Sequence, residues 1–337
     1  MAACSYLLFA YFLDASQPWN LHYAYSADGL DYSELNGGAA VLNCTQFSMR
    51  DPFINVAPDG RYYMVATNGQ NFGGTPTILQ WVSDDLIHWS PEHVIDVMGS
   101  QFFPPPTTVD DLWAPEWRWD AAKGEFMVFW AARGKGLLPA LPSPNCSGQQ
   151  DYRFGFFQTH TPDFVHFSPP TLFFDPGCYF TGDGGIDGDL VQDEKGQFVF
   201  VYKDARGVGE GHGAELKRGV RLATSVGIAG PYTNASVSDL LVPTLVEAPE
   251  VHTAPTGGPP GYLLYFDCSF WPTPPGQPRP PFGVAHSPSL AQPVFTTLPG
   301  SCTGNSSVVS FPRGATHGSF VCITDQQLQA LRSAFPG

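Results

Sequence analysis

"GIDGDLVQDEKGQFVFVYKD", residues 185–204, decides the fold, because its pattern recurs along the chain. Its second half, Gln197 to Tyr202, alternates and is rich in Phe and Val, which is typical of a half-buried strand. The Gly at position 196 indicates a tight turn before that strand. The first half is also strand-like, yet it carries Asp187 and Asp189. Carboxylates are unsuited to a dry core, so we expect this strand to face a water-filled pocket.

The same order of a strand, a turn containing Gly and a second apolar strand occurs in three further segments, namely residues 50–68, 113–133 and 247–266. Each of the four copies is followed by a third strand and often a fourth, within residues 78–90, 154–168, 221–233 and 282–290. The N-terminal part supplies a fifth set, residues 5–12 and 21–35, that lacks its first strand. "THGSFVCIT", residues 316–324, supplies the missing strand from the C-terminal part.

Five such units, one assembled from both ends, predict an all-β fold: a five-bladed β-propeller closed by pairing of the N- and C-terminal strands. Ring closure hides the sheet edges that would otherwise template aggregation. A two-sheet sandwich would explain neither the five units nor the split one. We expect a single domain over residues 1–337, in which only residues 324–333 are helical and the segments 102–111, 134–151 and 271–281 are surface loops.

The charge of the chain restricts its partners. The formal net charge of −15 argues against nucleic acid and anionic membranes, since both are bound through basic patches. No run of eighteen apolar residues is present, so we predict no membrane span. The apolar start, residues 4–12, lacks a basic flank and a cleavage site and is interpreted as a strand, not a signal peptide. We expect a monomer.

Cysteines and glycosylation motifs bear on the compartment. The seven cysteines form no C-x-x-C motif, so a zinc site is not predicted, while unpaired thiols and one or two disulfides both remain open. Four N-x-S/T motifs favour a secreted or extracellular protein, although the chain shows no signal peptide. They begin at Asn43, Asn145, Asn234 and Asn305.

The first strand of each propeller blade lines the central axis, so polar groups on these strands converge. Aligning the first strands on their turn glycines brings Asp51, Asp187 and Glu247 to similar depth, with Trp113 and His317 in the other two blades. Like charges at close range raise the pKa of at least one group, which suits acid–base chemistry better than structure. This convergence predicts a catalytic pocket.

A structural interpretation of the acids remains: they would cap turns or pair with Arg50, Arg118 or Arg313. It is reasonable for any single Asp. It is harder to accept for three carboxylates at one blade position.

The blade-start motifs resemble those of glycoside hydrolase family 43, and the resemblance covers nearly the whole chain in the same order. The motifs are "RDPFI" (50–54), "WAPEW" (113–117), the Ile186-Asp187 strand start, "EAPEV" (247–251) and "THGSFVCIT" (316–324). That family contains inverting arabinosidases, xylosidases, arabinanases and galactanases on a five-bladed propeller. The resemblance implies an enzyme that hydrolyses O-glycosyl bonds of plant-type polysaccharides or oligosaccharides, namely arabinofuranosides, xylosides or galactans.

The resemblance also implies roles for single residues. Asp51 matches the general base, Glu247 the general acid, and Asp187 the residue that orients the acid and tunes its pKa. Trp113 either stacks on a sugar face or lies in the core. His317 matches a residue beside a bound ion or water, so a structural calcium or sodium ion is expected there, if anywhere. No cofactor is required and no dedicated metal site is predicted.

Two motifs depart from the family pattern. The third is I-D-G-D, which makes Asp189 a second candidate, deeper on the same face as Asp187 by the period of two. The fourth is E-A-P-E, in which Glu250 competes with Glu247. An odd offset predicts that Glu250 turns away from the axis, so Glu247 is preferred. Glu116 either lines the pocket or pairs with a strand neighbour.

An inverting mechanism sets geometric and electrostatic conditions. The two carboxyls must be about 6.5–9.5 Å apart to admit a water. We expect Asp51 to be ionised, and the pKa of Glu247 to be raised by burial and by the charge of Asp187.

Three other functions stay open. A retaining fructan hydrolase would share R-D-P but needs an N-D-P-N nucleophile and an E-C acid, which the sequence lacks. A mannoside phosphorylase would need a basic phosphate pocket, which 16 Lys and Arg do not indicate. A non-catalytic carbohydrate-binding propeller would keep the aromatic residues without needing three acids.

Overall fold

The computed structural model describes residues 4–14, 18–69, 76–139, 152–177, 184–205, 219–234, 241–242, 246–268, 282–302 and 308–337. Within them, twenty strands form five four-stranded antiparallel sheets arranged around a common axis. The predicted all-β, five-bladed propeller is therefore confirmed.

The strands in chain order are β1 (Tyr6–Leu13), β2 (His22–Ser26), β3 (Ser33–Glu34), β4 (Met49–Val56), β5 (Tyr62–Asn68), β6 (Thr77–Ser83), β7 (His93–Asp96), β8 (Asp111–Asp120), β9 (Glu125–Arg133), β10 (Gly155–Thr161), β11 (Thr171–Phe174), β12 (Gly185–Gln192), β13 (Phe198–Asp204), β14 (Gly219–Ser225), β15 (Thr233–Asn234), β16 (Glu247–Thr253), β17 (Tyr262–Asp267), β18 (Phe282–Ser287), β19 (Thr296–Thr297) and β20 (Ala315–Ile323). Blades 1 to 4 are β4–β7, β8–β11, β12–β15 and β16–β19. Blade 5 has the order β20-β1-β2-β3, and a helix, α1 (Asp325–Ala334), follows it.

The ring closes where β20, the innermost strand of blade 5, pairs antiparallel with β1. Phe9 lies opposite Phe320, and a disulfide joins Cys4 to Cys322 beside this pairing. The predicted closure by N- and C-terminal strands is confirmed. A covalent bond therefore reinforces the seam at which the two ends of the chain meet.

The cysteines, which the sequence left open, form disulfides at two places in the described residues. Besides the seam bridge, Cys268 is bonded to Cys302 within blade 4. Cys44 is a free thiol, half-buried, and burial raises its pKa to about 12. Cys146 and Cys178 lie outside the described residues.

Removing the seam disulfide should destabilise the fold measurably. Its cysteines are 318 positions apart, and cross-linking a long loop restricts the unfolded chain strongly. We expect Cys4→Ser combined with Cys322→Ser to lower the unfolding free energy by about 2–5 kcal/mol, measured by urea denaturation. Cys44→Ser is the control and should change it little. An equal loss in both variants would remove the special role of the seam.

Each blade packs on its neighbours through both faces of its sheet, so the strands read as near-continuous apolar runs. In β6, Leu79 and Trp81 pack toward blade 5, whereas Ile78 and Val82 pack toward blade 2. Five buried clusters result, one between each pair of adjacent blades. The core is thus a ring of five interfaces around a polar hub.

A turn between the third and fourth strands recurs in blades 5, 1 and 2 and was not singled out in the sequence. In each copy a Ser or Thr hydroxyl accepts the N–H three residues later, and an Asp carboxylate accepts the N–H groups two and three residues beyond itself. The pairs are Ser26 and Asp28, Ser83 and Asp85, and Thr161 and Asp163. The residue after the Asp is left-handed, with φ of 77°, 65° and 57° at Gly29, Leu86 and Phe164.

The remaining predictions about segments have mixed outcomes. The predicted C-terminal helix is confirmed as α1, which Thr324 caps through a hydrogen bond from the Gln327 N–H. The Pro-rich segment 102–111 forms turns that lead into β8, while 271–281 and most of 134–151 fall outside the described residues. Asn43 is exposed, and the side chains of the other three glycosylation motifs are not described. No helix in the described ranges is long and apolar enough to cross a membrane.

Candidate active site

Each innermost strand carries a β-bulge at the same depth. The bulged residues are Asp51–Pro52, Ala114–Pro115, Asp187, Ala248–Pro249 and His317–Gly318. In four blades the first bulged residue is left-handed, with φ of 50° at Asp51, 46° at Ala114, 51° at Asp187 and 52° at Ala248. Non-glycine residues rarely adopt this conformation, and such strain concentrates at functional sites.

The bulge in blade 3 accounts for the glycine in the I-D-G-D motif. A Cβ on Gly188 would lie 2.3 Å from the Phe200 ring, so the ring of the neighbouring strand requires a residue without a side chain there. The departure from the family pattern is therefore a packing requirement between β12 and β13.

A bulge interrupts the alternation of a strand, so two consecutive residues can face the axis. At the N-terminal ends of the innermost strands the axis widens into a cavity of about 260 Å³. Its lining includes the pairs Arg50–Asp51, Ile186–Asp187 and Thr316–His317, with Trp113, Lys203 and Glu247. The structure thus brings all five residues predicted from the sequence, Asp51, Trp113, Asp187, Glu247 and His317, to one cavity.

Asp51 is buried and held from two sides. The His317 Nδ1 lies 3.2 Å from its Oδ1, and the Thr67 hydroxyl donates to its Oδ2 at 2.6 Å. Burial works to raise the pKa of Asp51, but His317, Arg50 and Thr67 outweigh it and lower that pKa to about 2. Asp51 therefore carries a negative charge throughout the physiological range.

His317 is the positive partner of this pair. Burial works to lower its pKa, but the charges of Asp51 and Asp187 raise the pKa of His317 to about 10. Its Nδ1 is 4.0 Å from Asp187 Oδ1, so one imidazolium lies between two of the three acids. This contact reduces the repulsion that three close carboxylates would otherwise suffer.

Asp187 lines the cavity and bridges to the next blade, accepting the Ala248 N–H at 3.1 Å. Burial raises the pKa of Asp187; His317 opposes this, and the charge of Glu247 adds to it. The hydrogen bond to blade 4 fixes Asp187 next to the strand that begins with Glu247. The position is that of a group able to influence Glu247 electrostatically.

Glu247 is more accessible than the two aspartates, with 21% of its side chain exposed. The Lys203 ammonium, itself almost fully buried, donates to Glu247 Oε2 at 2.8 Å. Lys203 comes from β13, the second strand of blade 3, and also lines the cavity. The sequence analysis did not identify it.

Trp113 has the core contact that one sequence alternative required, and the other alternative, stacking on a sugar, stays a prediction. Its ring lines the cavity and also packs on Phe154, with ring centroids 4.7 Å apart. The Arg133 guanidinium, which ion-pairs with Asp111 at 2.5 Å, lies 5.9 Å from the same ring. The indole is therefore held rigidly with part of its surface available to a ligand.

A second, deeper group of carboxylates contradicts one sequence prediction. Glu250 was expected to turn away from the axis, but the bulge at Ala248–Pro249 resets the alternation, so Glu250 faces the axis as Glu247 does. It lies with Glu116 and Asp189, and the three acids have carboxylate oxygens within 4.8 Å of one another. Asp189 is deeper than Asp187, as expected. Glu116 belongs to this deeper group and does not line the cavity that holds Asp51, Asp187 and Glu247.

Arg118 balances part of the charge of this deep acidic cluster (Glu116, Asp189 and Glu250). Its Nη2 bonds to Asp189 and lies 3.6 Å from Glu116 Oε2. Burial, and then the neighbouring acids, raise the pKa of Glu116 and of Glu250; burial also raises that of Asp189 against the effect of Arg118. The cluster therefore shares protons at neutral pH, as closely spaced carboxylates do.

Residues 3–329 match a family described as a probable glycosyl hydrolase domain, related to glycoside hydrolase family 43. The chain belongs to this family. By membership it is a glycosidase, and the expectation from the blade-start motifs is confirmed at the level of the family.

Two solved structures share the family's propeller. A thermostable family-43 glycoside hydrolase is 16% identical, over 82% of this chain and 80% of that one, with a TM-score of 0.51. An endo-arabinase from Bacteroides thetaiotaomicron is 13% identical, over 82% and 91% of the two chains, also with a TM-score of 0.51. At these identities the likeness concerns the fold. No curated protein sequence matched the chain closely enough to compare.

The expected ion near His317 stays a prediction. A protonated imidazole paired with Asp51 is a poor metal ligand, because a cation binds the free ring nitrogen. Among the described residues, oxygen ligands suited to calcium or sodium are grouped in the deep acidic cluster. Arg118 already supplies a positive charge there.

Proposed function

We propose that this glycosidase cleaves arabinofuranosides, xylosides or galactans of plant type with inversion of configuration. The observation that carries the proposal is the convergence of Asp51, Asp187 and Glu247, from three different blades, on one cavity at the hub. Each carboxylate is near a strand start: Asp51 and Asp187 are in a bulge, and Glu247 directly precedes one. A binding module would have no need of three acids at this depth.

Asp51 is proposed as the general base. A base must be ionised to accept a proton from water, and the low pKa of Asp51 meets this condition. His317 and Thr67 fix the orientation of its carboxylate. The attacking water would lie on the cavity side, on the face of the sugar opposite the leaving group.

Glu247 is proposed as the general acid, with Asp187 beside it as the group that orients it and tunes its proton affinity. The acid must carry a proton and reach the glycosidic oxygen, and Glu247 is the most accessible of the three carboxylates. Trp113 is proposed to stack on the sugar ring bound between them.

The proposal is tested by a screen of 4-nitrophenyl arabinofuranoside, xyloside and galactoside with soluble arabinan, arabinoxylan and galactan. Arabinosides come first, because one fold relative is named an endo-arabinase. Proton NMR of the first product anomer then reports stereochemistry, and inversion is expected. Hydrolysis with retention would overturn the mechanism, and inactivity on every substrate would overturn the substrate class.

Lys203 is expected to position the side chain of the proposed acid, because its ammonium donates to Glu247 Oε2 at 2.8 Å. Methionine has a similar length but no donor, so Lys203→Met leaves Glu247 without this hydrogen bond. We expect Lys203→Met to lower kcat by about tenfold with little change in KM, measured by steady-state kinetics. Lys195→Met, in the exposed turn between β12 and β13, is the control and should leave kcat unchanged. An unchanged kcat in folded Lys203→Met would assign Lys203 to structure alone.

A further inference from the structure

Two cavities at the end of the propeller opposite the proposed active site share one wall. One, of about 530 Å³, lies in the cleft between blades 1 and 2. The other, of about 380 Å³, lies at the C-terminal ends of the innermost strands, where the central channel reaches the opposite face. Trp119, half-buried near the end of β8, lines both. Trp119 is therefore a wall of both cavities, which together we call the opposite groove.

The indole of Trp119 is held rigidly, as a stacking platform requires. It packs edge-on against Phe126, with ring centroids 5.0 Å apart and an interplanar angle of 83°. Trp119 is six residues after Trp113 on the same strand, which corresponds to roughly 20 Å. One innermost strand thus presents an indole to a cavity at each of its ends.

The polar groups of the opposite groove suit a neutral ligand. The channel side contributes the Asn55 and Gln192 amides and the His252 imidazole, whose pKa is lowered by burial so that it is neutral at pH 7. Arg118 and Glu250 also line this side, but Arg118 is paired with Asp189, and burial raises the pKa of Glu250 to about 8, so that its carboxyl is mostly protonated at pH 7. The charged residues at the cleft are paired within the protein: Arg61 lies 2.8 Å from Asp59, and Asp163 binds His166 at 2.8 Å. Amides and imidazole beside an aromatic face recognise hydroxyl groups through both donors and acceptors.

Gln80 adds an unused donor to the cleft side. It lies on β6 and lines the cleft, and its Nε2 is buried without a hydrogen-bond partner. A buried donor left unsatisfied is unfavourable, and an acceptor on a bound ligand would satisfy it. Gln158 occupies the equivalent position in blade 2, also three residues before the hydroxyl of the repeated turn, but it is not part of this cleft. The chain therefore offers a matched residue outside the groove.

We propose that the opposite groove is a second saccharide-binding site, which takes a segment of a neutral, hydroxyl-rich polysaccharide chain by stacking on Trp119 and by hydrogen bonds to the surrounding amides. The choice of a plant-type polysaccharide rests on the proposed function. The site performs no chemistry. It holds the enzyme on a polymer whose other parts can enter the catalytic cavity.

The test counts binding sites and measures their strength separately from catalysis. Isothermal titration of the Asp51→Asn protein with arabinohexaose and xylohexaose should give two sites per chain, and adding Trp119→Ala should leave one. In gels containing soluble arabinan or arabinoxylan, Trp119→Ala should weaken retention about tenfold, because the sugar loses the aromatic face on which it stacks. Gln80→Leu should weaken it less, and Gln158→Leu should leave it unchanged.

Readouts outside binding keep the interpretation clear. Trp119→Ala in the otherwise unaltered enzyme should keep its kcat/KM on the 4-nitrophenyl glycoside within about twofold, and its melting temperature should exclude misfolding. Two sites that persist in Trp119→Ala, or equal losses in Gln80→Leu and Gln158→Leu, would overturn the second site. Failure of the proposed function is distinct: it is the absence of hydrolysis by the unaltered enzyme on every substrate of the screen.

Discussion

Asp51→Asn should reduce kcat by about 10²–10⁴-fold on every substrate that the enzyme hydrolyses, since this is the contribution expected of a positioned general base. The amide has the shape of the carboxylate but cannot accept the proton of the attacking water. Asn also tolerates the left-handed conformation that position 51 requires, with φ of 50°. The fold should therefore persist, and steady-state kinetics with circular dichroism measure both effects.

The control for Asp51→Asn is Asp31→Asn, in the exposed turn between β2 and β3, which should leave kcat unchanged. Loss of the Asp51 charge also removes the partner of His317, so the melting temperature of the variant should fall modestly at neutral pH. A folded Asp51→Asn protein with near-normal kcat would exclude Asp51 from the mechanism.

Glu247→Gln should impair catalysis in a way that depends on the leaving group. A general acid assists departure, so an oligosaccharide with a sugar leaving group should lose about 10²–10⁴-fold in kcat/KM. A 2,4-dinitrophenyl glycoside needs almost no protonation to leave and should be hydrolysed at nearly the unaltered rate. The comparison of the two substrates in one variant identifies the acid without reference to absolute activity.

Glu250→Gln provides the matched comparison for Glu247→Gln, because Glu250 is the competing carboxylate of the same motif. It lies in the deep acidic cluster and does not line the cavity that holds Glu247. Its replacement should therefore alter stability, while any loss of kcat/KM should be the same for both leaving groups. If Glu250→Gln showed the leaving-group dependence and Glu247→Gln did not, the two assignments would have to be exchanged.

The fold could be predicted because it repeats. Five copies of one strand pattern, with one copy divided between residues 5–35 and 316–324, have few explanations other than a closed ring. The similar depth of Asp51, Asp187 and Glu247 along the propeller axis followed from the same alignment. Residues that precede the first turn of their blade by similar numbers of positions lie at similar depth. Because the units repeat, residues far apart in the sequence can be aligned to the same position in the fold, which a single strand does not allow.

Features that the sequence did not reveal depend on backbone conformation or on neighbouring strands. The bulge at Ala248–Pro249 places both Glu247 and Glu250 toward the axis, whereas simple alternation separates them. In the sequence, Lys203 is a single charged residue in an otherwise apolar second strand. Its contact with Glu247 becomes visible only when the positions of blades 3 and 4 relative to each other are known. The identity of the sugar depends on connections at the active-site end, several of which lie outside the described residues.

The imidazolium beside Asp51 and Asp187 belongs to β20, which is synthesised after the other nineteen strands described here, whereas Asp51 belongs to the first complete blade. During translation, Asp51, Asp187 and Glu247 all leave the ribosome before His317 exists. A nascent chain can thus assemble four blades while Asp51 and Asp187 still lack the imidazolium that lies between them in the closed ring. Activity should therefore appear only when β20 pairs with β1 and closes the ring. Before that step the chain should be inactive and should expose the unpaired edge of β1.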